Sequence, residues 1–360
     1  RYTWTTPLAL SPFNSSILYT GAQMVLRSLN RGETWEPISP DLTDNDPVKI
    51  VGKGHVRYCT VTTISESPVK AGVIWAGTDD GHLQVTEDFG GKWTDLTSGL
   101  TTLGAPASMW VSRVFASNHD AGTAYVAKNG LTDDLMTAYI FKTTDYGKTW
   151  KKITAGLPES PVNVVVEDRK NPLLLFAGND LGVYVSVNGG ESWEPLKGNM
   201  PPAVVRDLMI HPRENDLIVG TYGRGAWVTD ISPLQQFTPE TESKTVYLFD
   251  IEPKPQMNFS QQATWGNYQM MGDNHLNTRN EPNGLEIWYW FGADQKSDAV
   301  VTVMDQDGKQ VFERKVKPVK GIGKVYWNTM QAQPGKYSVT LTCGSFSEKK
   351  TGVVLDKWRW

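Results

Sequence analysis

The chain has 360 residues, which is enough for one large domain or two ordinary domains with buried cores. Its net charge is −4 with acidic and basic residues interspersed, so neither a nucleic acid nor an anionic membrane surface is expected as a partner. No apolar run reaches the roughly 18 residues that a membrane-spanning helix needs. The two cysteines are too few for a disulfide framework or a zinc cluster, and we expect neither a metal nor a cofactor.

Strand and turn signals repeat along the first two thirds of the chain. Five units, each of about four strands over roughly 40 to 58 residues, begin at "PLALSP", "VTTISESP", "VSRVFASN", "VNVVVEDR" and "VVRDLMIHP". This is the period of propeller blades, and a single blade cannot cover both faces of its own sheet. The sequence therefore predicts an all-β chain whose first part is a five-bladed propeller.

Four of the units contain the same octapeptide. The copies are "SLNRGETW" (28–35), "TEDFGGKW" (86–93), "TTDYGKTW" (143–150) and "SVNGGESW" (186–193). Short Asp, Asn, Ser and Thr side chains hydrogen-bond nearby backbone groups, and Gly supplies a positive φ. We expect each octapeptide to form a hairpin tip between the third and fourth strands of a blade, with its Trp packed against its own sheet. The polar atoms would be used within the turn, so no chemistry is assigned to them.

The composition changes after the fifth unit. We predict a propeller over residues 1–240, then a linker and surface excursion over 241–282, and a β-sandwich over 283–360. Alternating strands return in "LEIWYWF" and "AVVTVMDQDGKQVFERKV", where "DQDGK" is a hairpin signal. The last segment resembles small Ig-like or fibronectin-like sandwiches, with Trp327 and the "PGKY" turn as its marks. Such domains serve as spacers or docking modules.

The repeated pattern S-x-D-x-G-x-x-W resembles the Asp-box, or BNR, repeat of sialidases, sortilin ectodomains and xyloglucan-cleaving endoglucanases. "LRSLNRGETWEPISPDLT" and "GTYGRGAWVTDISPL" are similar to bacterial exported BNR-repeat proteins described as glycosyl-hydrolase-like or sortilin-like. The resemblance covers residues 1–236 most strongly and implies a periplasmic or extracellular location. Members of that group usually have further blades. The five units here therefore either close alone or form part of a larger propeller of the same parent protein.

Candidate site residues follow from the geometry of a propeller. Its ligand face lies where the innermost strands begin and where second strands turn into third strands. Acids, arginines, amides and a tyrosine map to that face. They are Arg57, Asp79, Asp80, Arg113, Asn129, Asp133, Asp134, Asn163, Asn179, Asp180, Arg206, Asp207, Tyr222 and Arg224. Arginines hold carboxylated or polar ligands by forked hydrogen bonds, and glycoside cleavage needs two carboxylates, or a tyrosine and a base, at a defined separation.

Three functions are compatible with this pattern. The leading hypothesis is an exported module that binds a glycan or a peptide on the propeller face. The second is a sialidase-like or xyloglucanase-like glycoside hydrolase using a carboxylate pair on that face. The sialidase arginine motif is absent from this sequence, and no catalytic pair can be carried over from the resemblance. The third is a structural part of a secreted assembly.

Overall fold

The computed structural model describes residues 1–51, 58–256 and 282–357. The chain divides into two compact units, Arg1–Gln235 and Gln236–Trp360. No helix in the described part of the chain has the length and apolar character needed to cross a membrane.

The first unit is a series of five antiparallel sheets, which we call blades one to five. Blade one contains β1 (Leu8–Leu10), β2 (Leu18–Gly21), β3 (Val25–Ser28) and β4 (Glu36–Pro37). Blade two contains β5 (Val61–Glu66), β6 (Ile74–Thr78), β7 (Leu83–Thr86) and β8 (Thr94–Asp95). Blade three contains β9 (Trp110–Ala116), β10 (Ala124–Gly130), β11 (Leu135–Thr143) and β12 (Lys151–Lys152). Blade four contains β13 (Val162–Glu167), β14 (Leu175–Asn179), β15 (Val183–Ser186) and β16 (Glu194–Pro195), and blade five contains β17 (Val204–Ile210), β18 (Asp216–Tyr222) and β19 (Ala226–Asp230).

Short helices connect the strands of this unit. They are α1 (Pro47–Val51), α2 (Thr97–Thr101), a 3-10 helix (Leu131–Asp133) and α3 (Ser232–Gln235). The prediction of an all-β chain is confirmed, because strands pair in sequence order within each blade and the described helices span five residues or fewer.

The core of the first unit lies between consecutive blades rather than within one. Each apolar cluster combines one face of a blade with the facing side of the next, as where Trp75 of blade two packs with Val114 and Val126 of blade three. Arg113 in blade three reaches Asp207 in blade five across blade four. Because a straight stack of sheets would keep these residues apart, the innermost strands must curve around a common axis. This is the arrangement of a β-propeller.

The innermost strands of blades two to five each contain a β-bulge at the same position. Four of them shift register at the same point and leave one extra residue each, namely Thr62, Ser112, Asn163 and Arg206. Three of these residues donate to a carbonyl of the next innermost strand. Thr62 bonds Val111 at 3.1 Å, Ser112 bonds Val162 at 2.8 Å and Asn163 bonds Val205 at 2.9 Å.

The outer faces of blades one and five are apolar and exposed. Leu8 of β1 is 71% exposed, whereas Val114, at the equivalent position of β9, is buried. Met209 of β17 is 52% exposed, whereas the equivalent Val166 of β13 is buried. A Cβ added at Gly178 would lie 2.5 Å from Val205 of the following blade. Gly220, its equivalent in blade five, has Asp207 of the same blade as its nearest neighbour.

The second unit is a two-sheet sandwich. It contains α4 (Pro239–Glu242), β20 (Val246–Leu248), β21 (Lys254–Pro255), β22 (Leu285–Phe291), β23 (Ala299–Met304), β24 (Gln310–Val316), β25 (Gly321–Trp327), β26 (Gly335–Cys343) and β27 (Phe346–Leu355). One sheet has the order β20-β22-β25 and the other β21-β27-β26-β23-β24. Both sheets contribute to a single core, in which the ring centroids of Trp327 and Tyr337 lie 4.6 Å apart.

The boundary between the units differs from the expected one. It follows Gln235, and residues 246–255, which the sequence analysis assigns to a linker, supply β20 and β21 of the second unit. The apolar side chains of Val246 and Leu248 explain the difference, because they complete the sandwich core. Residues 257–281 of the expected excursion lie outside the described residues.

Candidate functional site

The octapeptide turns use their polar atoms internally, as predicted. In the third copy the Thr143 hydroxyl donates to Asp145 Oδ1 at 2.8 Å, and the Gly147 N–H donates to Thr143 Oγ1 at 2.9 Å. The Thr149 N–H donates to the same carboxyl oxygen at 2.9 Å, and hydrogen bonds from Thr149 hold the pKa of Asp145 below its ordinary value. The other three copies repeat these bonds. These turns are therefore structural.

The tryptophans of the turns do not behave as expected. Instead of packing only on their own sheets, Trp93 and Trp193 donate their indole N–H groups to the preceding blade, at Ile38 and Ile153. Trp35, in blade one, donates to Gly32 of its own turn and is 38% exposed. The rings of Trp93 and Trp193 are held by the neighbouring blade because their turns lie beside the end of that blade's outermost strand.

A polar network crosses blades three, four and five at the axial end of the innermost strands. Asn163, at the bulge of β13, is its centre. Its amide oxygen accepts hydrogen bonds from Asn129 at 2.7 Å and from Arg206 at 3.2 Å. Its amide nitrogen donates to Asp180 at 2.8 Å and to the Val205 carbonyl. Residues that are distant in the sequence thus meet in this network.

Charged and aromatic groups surround this network. Arg113 forms an ion pair with Asp207, 2.5 Å between Nη2 and Oδ1, while its buried Nε has no acceptor among the described residues. The Arg206 guanidinium lies 5.8 Å from the centre of the Tyr222 ring, which is 73% exposed. The network therefore offers cationic donors, a carboxylate and an aromatic face to solvent, which is the set of groups that binds a polar ligand.

The acids of blade two belong to a different set of contacts. Asp79 accepts hydrogen bonds from both the N–H and the hydroxyl of Thr60, at 2.8 and 2.7 Å. Burial raises the pKa of Asp79 to about 6 despite these bonds. Asp80 accepts from Thr78 and from the backbone N–H of Asp44. The prediction that these acids join the axial residues is not supported by their contacts, which stay around blade two.

A charged triad that joins blade two to the segment before it was not predicted from the sequence. His82 lies between Asp95, 3.0 Å from its Nδ1, and Asp44, 2.8 Å from its Nε2. The hydrogen bond with Asp95, reinforced by Asp44 and opposed by burial, raises the pKa of His82 to about 9. Oxygen and nitrogen atoms of Asp44, Asp80 and His82 lie within 4.8 Å of one another, yet each is engaged by a hydrogen bond. The sequence separates Asp44 from His82 by 38 positions, and no short motif connects them.

Lys128 is a second residue that the sequence analysis did not single out. It is fully buried in β10, where its ammonium donates to the carbonyls of Pro106, Ala107 and Gly81. Burial lowers the pKa of Lys128 to about 8. A lysine inside the apolar stretch "AYVAK" is the only signal that could have indicated it. Its three acceptors give it a structural role in joining two loops to blade three.

The remaining predicted residues are spread over the loops. Asp134 ends the 3-10 helix in a left-handed conformation, and Asp133 lies beside it. Asn179 caps its own loop by accepting from the N–H groups of Leu181 and Gly182. Arg224 is exposed in the β18–β19 turn. Arg57 lies outside the described residues.

Comparison with known proteins does not assign this chain to a family. No protein-family model matches the chain, and no curated protein matches it. Among solved structures, an ancestral GH74 enzyme aligns with a TM-score of 0.49 and 15% identity, over 93% of this chain and 43% of that protein. The GH74 xyloglucanase from Xanthomonas campestris aligns with a TM-score of 0.46 and 11% identity, over 96% of this chain and 53% of the enzyme. YCF48 bound to a D1 peptide aligns with a TM-score of 0.41 and 14% identity, over 95% of this chain and 91% of its own.

The chain thus spans about half the length of the two GH74 enzymes.

Proposed function

We propose that the protein is an exported β-propeller that binds a glycan or a peptide at the axial polar network. The observation that carries this proposal is the exposed pair Arg206 and Tyr222 beside a network that spans three blades. Bonds within the network fix the positions of its side chains, so a ligand would not have to order them on binding. Both sugars and peptides present hydroxyl, amide or carboxylate groups that these side chains can satisfy.

Glycoside hydrolysis is the second candidate, and one observation favours it. A pKa of about 6 at Asp79 is a property expected of a general acid. Both carboxyl oxygens of Asp79 are nevertheless held by Thr60, and its neighbour Asp80 is held by Thr78. Binding without turnover therefore fits the geometry better than catalysis does.

Substitution at the two ends of blade five tests the proposal. Arg206→Ala should weaken binding of glycan-array or peptide-array ligands about tenfold or more, because a hydrogen bond from a charged group is lost. Arg213→Ala is the matched control, because Arg213 is exposed in the β17–β18 turn at the opposite end of the same blade. Equal binding by wild type and Arg206→Ala would refute the site. Release of sugars from a polysaccharide panel that Asp79→Asn abolishes would establish the hydrolase instead.

We also propose that the outer faces of blades one and five bind further blades of the same parent protein, within a secreted assembly. Three of the four interfaces inside the unit show what such a face accepts, namely a bulged strand whose preceding valine lies over a glycine of the blade before it. The pairs are Val61 over Gly21, Val111 over Gly77 and Val205 over Gly178. In blade five the equivalent glycine is Gly220, and no valine of another blade contacts it within the described residues. The reading frame around this segment provides the test. Sequences for four-stranded units beside it would support the proposal, and their absence would refute it.

A periplasmic or extracellular location is part of the same proposal. It rests on the resemblance of the octapeptides and on nothing in the fold. Cell fractionation of the native protein tests it, and recovery only from the cytoplasm would refute it.

A further inference from the structure

A groove opens in the second unit between the edge strands of its two sheets. β24 is the edge of the five-stranded sheet and β25 is the edge of the three-stranded sheet. The two strands bound a cavity of about 590 Å³, and none of the described residues that line it is acidic. This volume is in the range of small-ligand sites. We call it the cationic groove.

An arginine occupies a position of β24 that should be apolar. Phe312, Arg314 and Val316 pair with Val303, Val301 and Ala299, which are buried in the core, so all three lie on the core-facing side of the strand. Phe312 and Val316 pack against the core, whereas Arg314 is exposed and lines the groove. A charged side chain on an inward-facing register is stable only where the sheets separate and admit solvent or a ligand.

The floor of the groove has an unpaired hydroxyl. Tyr289 is only 7% exposed, and its ring lies so close to Gly323 that a Cβ added there would overlap the ring. The Tyr289 hydroxyl forms no hydrogen bond with any of the described residues. Its oxygen is not fully buried. It therefore faces the groove, where it can donate to or accept from a ligand.

Four cations line the cavity, of which Lys324 lies on the opposite face of β25 from the position paired with Tyr289. Lys324 lies 4.5 Å from the Trp288 ring centre and 4.9 Å from that of Tyr326, and it pairs with Glu286. Lys315 pairs with the exposed Asp298 at 3.7 Å. Arg314 and Lys317 form no ion pair within the described ranges, which leaves two cations available to an anionic ligand.

We propose that the cationic groove binds a short anionic saccharide, whose sugar rings carry carboxylate or sulfate groups. The guanidinium of Arg314 and the ammonium of Lys317 would hold the acidic groups, since Arg presents a fork of donors and Lys a point charge. The ring of Phe312 would contact the apolar face of a sugar, and Tyr289 would bond a hydroxyl. The groove presents side chains from two sheets rather than one row of backbone donors and acceptors, which favours a saccharide over an added peptide strand.

Calorimetry of the full chain with trigalacturonate and with a sulfated trisaccharide tests the inference. We expect at least one of them to bind, and a neutral trisaccharide to bind at least about tenfold more weakly. Arg314→Glu and Lys317→Glu should each weaken binding about 10- to 100-fold. Tyr289→Phe should weaken it severalfold while leaving the urea unfolding midpoint unchanged, which a purely structural role for the hydroxyl would not predict.

Lys336→Glu is the matched control for charge, because Lys336 is exposed on β26 outside the groove. An equal loss of binding in this control would show general charge attraction and overturn the proposal. Failure of both acidic sugars to bind would also overturn the proposal. The cations would then serve to prevent edge-to-edge strand pairing. Equally tight binding of a tri-glutamate peptide would overturn the choice of a saccharide.

Discussion

The indole N–H of Trp93 donates to the backbone carbonyl of Ile38 at 2.8 Å, which fastens a turn of blade two to blade one. Trp193 repeats the bond with Ile153, between blades four and three. The buried indole N–H of Trp150 donates to none of the residues that the structure describes, and its ring meets Trp75 edge to face at 6.4 Å. The repeated turn thus serves to join blades, in addition to closing a hairpin.

Removing one indole N–H tests how much this hydrogen bond between blades contributes to stability. Trp193→Phe retains an aromatic ring but leaves the buried Ile153 carbonyl without its donor, so we expect the free energy of unfolding to fall by about 1–2 kcal/mol. Trp35→Phe is the control, because Trp35 donates to its own turn and is partly exposed. Urea denaturation should show a clearly larger change for Trp193. Equal changes would contradict a role in joining blades.

The triad of His82, Asp44 and Asp95 should make stability depend on pH. The folded pKa of His82, about 9, exceeds the ordinary value of 6.5, so its contribution is complete below about pH 6.5 and is lost as pH rises through 9. The hydrogen bond with His82 lowers the pKa of Asp44, and hydrogen bonds from His82 and Thr97 lower that of Asp95 although burial opposes them. Those contributions are present above about pH 4 and are lost as pH falls through the folded values.

We therefore expect the triad to stabilise the fold most between about pH 4 and 6.5. Because solvent screens these partly exposed groups, the loss from pH 6 to 10 should be about 1 kcal/mol. Urea midpoints of wild type and His82→Gln, measured across this range, should converge at high pH. His211→Gln, which changes a histidine of blade five, should keep the wild-type dependence. A constant difference between wild type and His82→Gln at all pH values would contradict the assignment.

Because the outer face of blade five is exposed, a charged substitution there should affect stability less than the same substitution at the equivalent position of blade four. Met209→Lys should change the free energy of unfolding of this chain by less than about 0.5 kcal/mol, because Met209 faces solvent. Val166→Lys places the same ammonium between blades four and five and should cost more than about 3 kcal/mol. Circular dichroism with urea denaturation compares them. Severe loss of stability in Met209→Lys would show that blade five is already covered.

In the parent protein the result at Met209 should reverse. If further blades cover this face, Met209→Lys in the longer protein should be as destabilising as Val166→Lys is here. An unchanged stability there would argue against occupation of the face.

Local chemistry allowed the sequence to predict the hairpins and the stacking of the blades. The Ser/Thr, Asp/Asn and Gly residues of each octapeptide bond one another within five positions, so their geometry is set by neighbours along the chain. Alternation with period two likewise determines which side chains of a strand face inward. These features recur unit by unit and need no knowledge of the neighbouring blades.

Contacts between distant segments were decided only by the tertiary structure. The roles of Asn163 and Arg206 depend on a bulge and on whether a following strand is present, and Arg314 depends on the separation of two sheet edges. Asp79, which resembles the axial acids in the sequence, is instead bound by Thr60. The physical reason is that a hydrogen bond or an ion pair depends on positions in space to within about an ångström, and sequence spacing fixes such positions only along a single turn or strand.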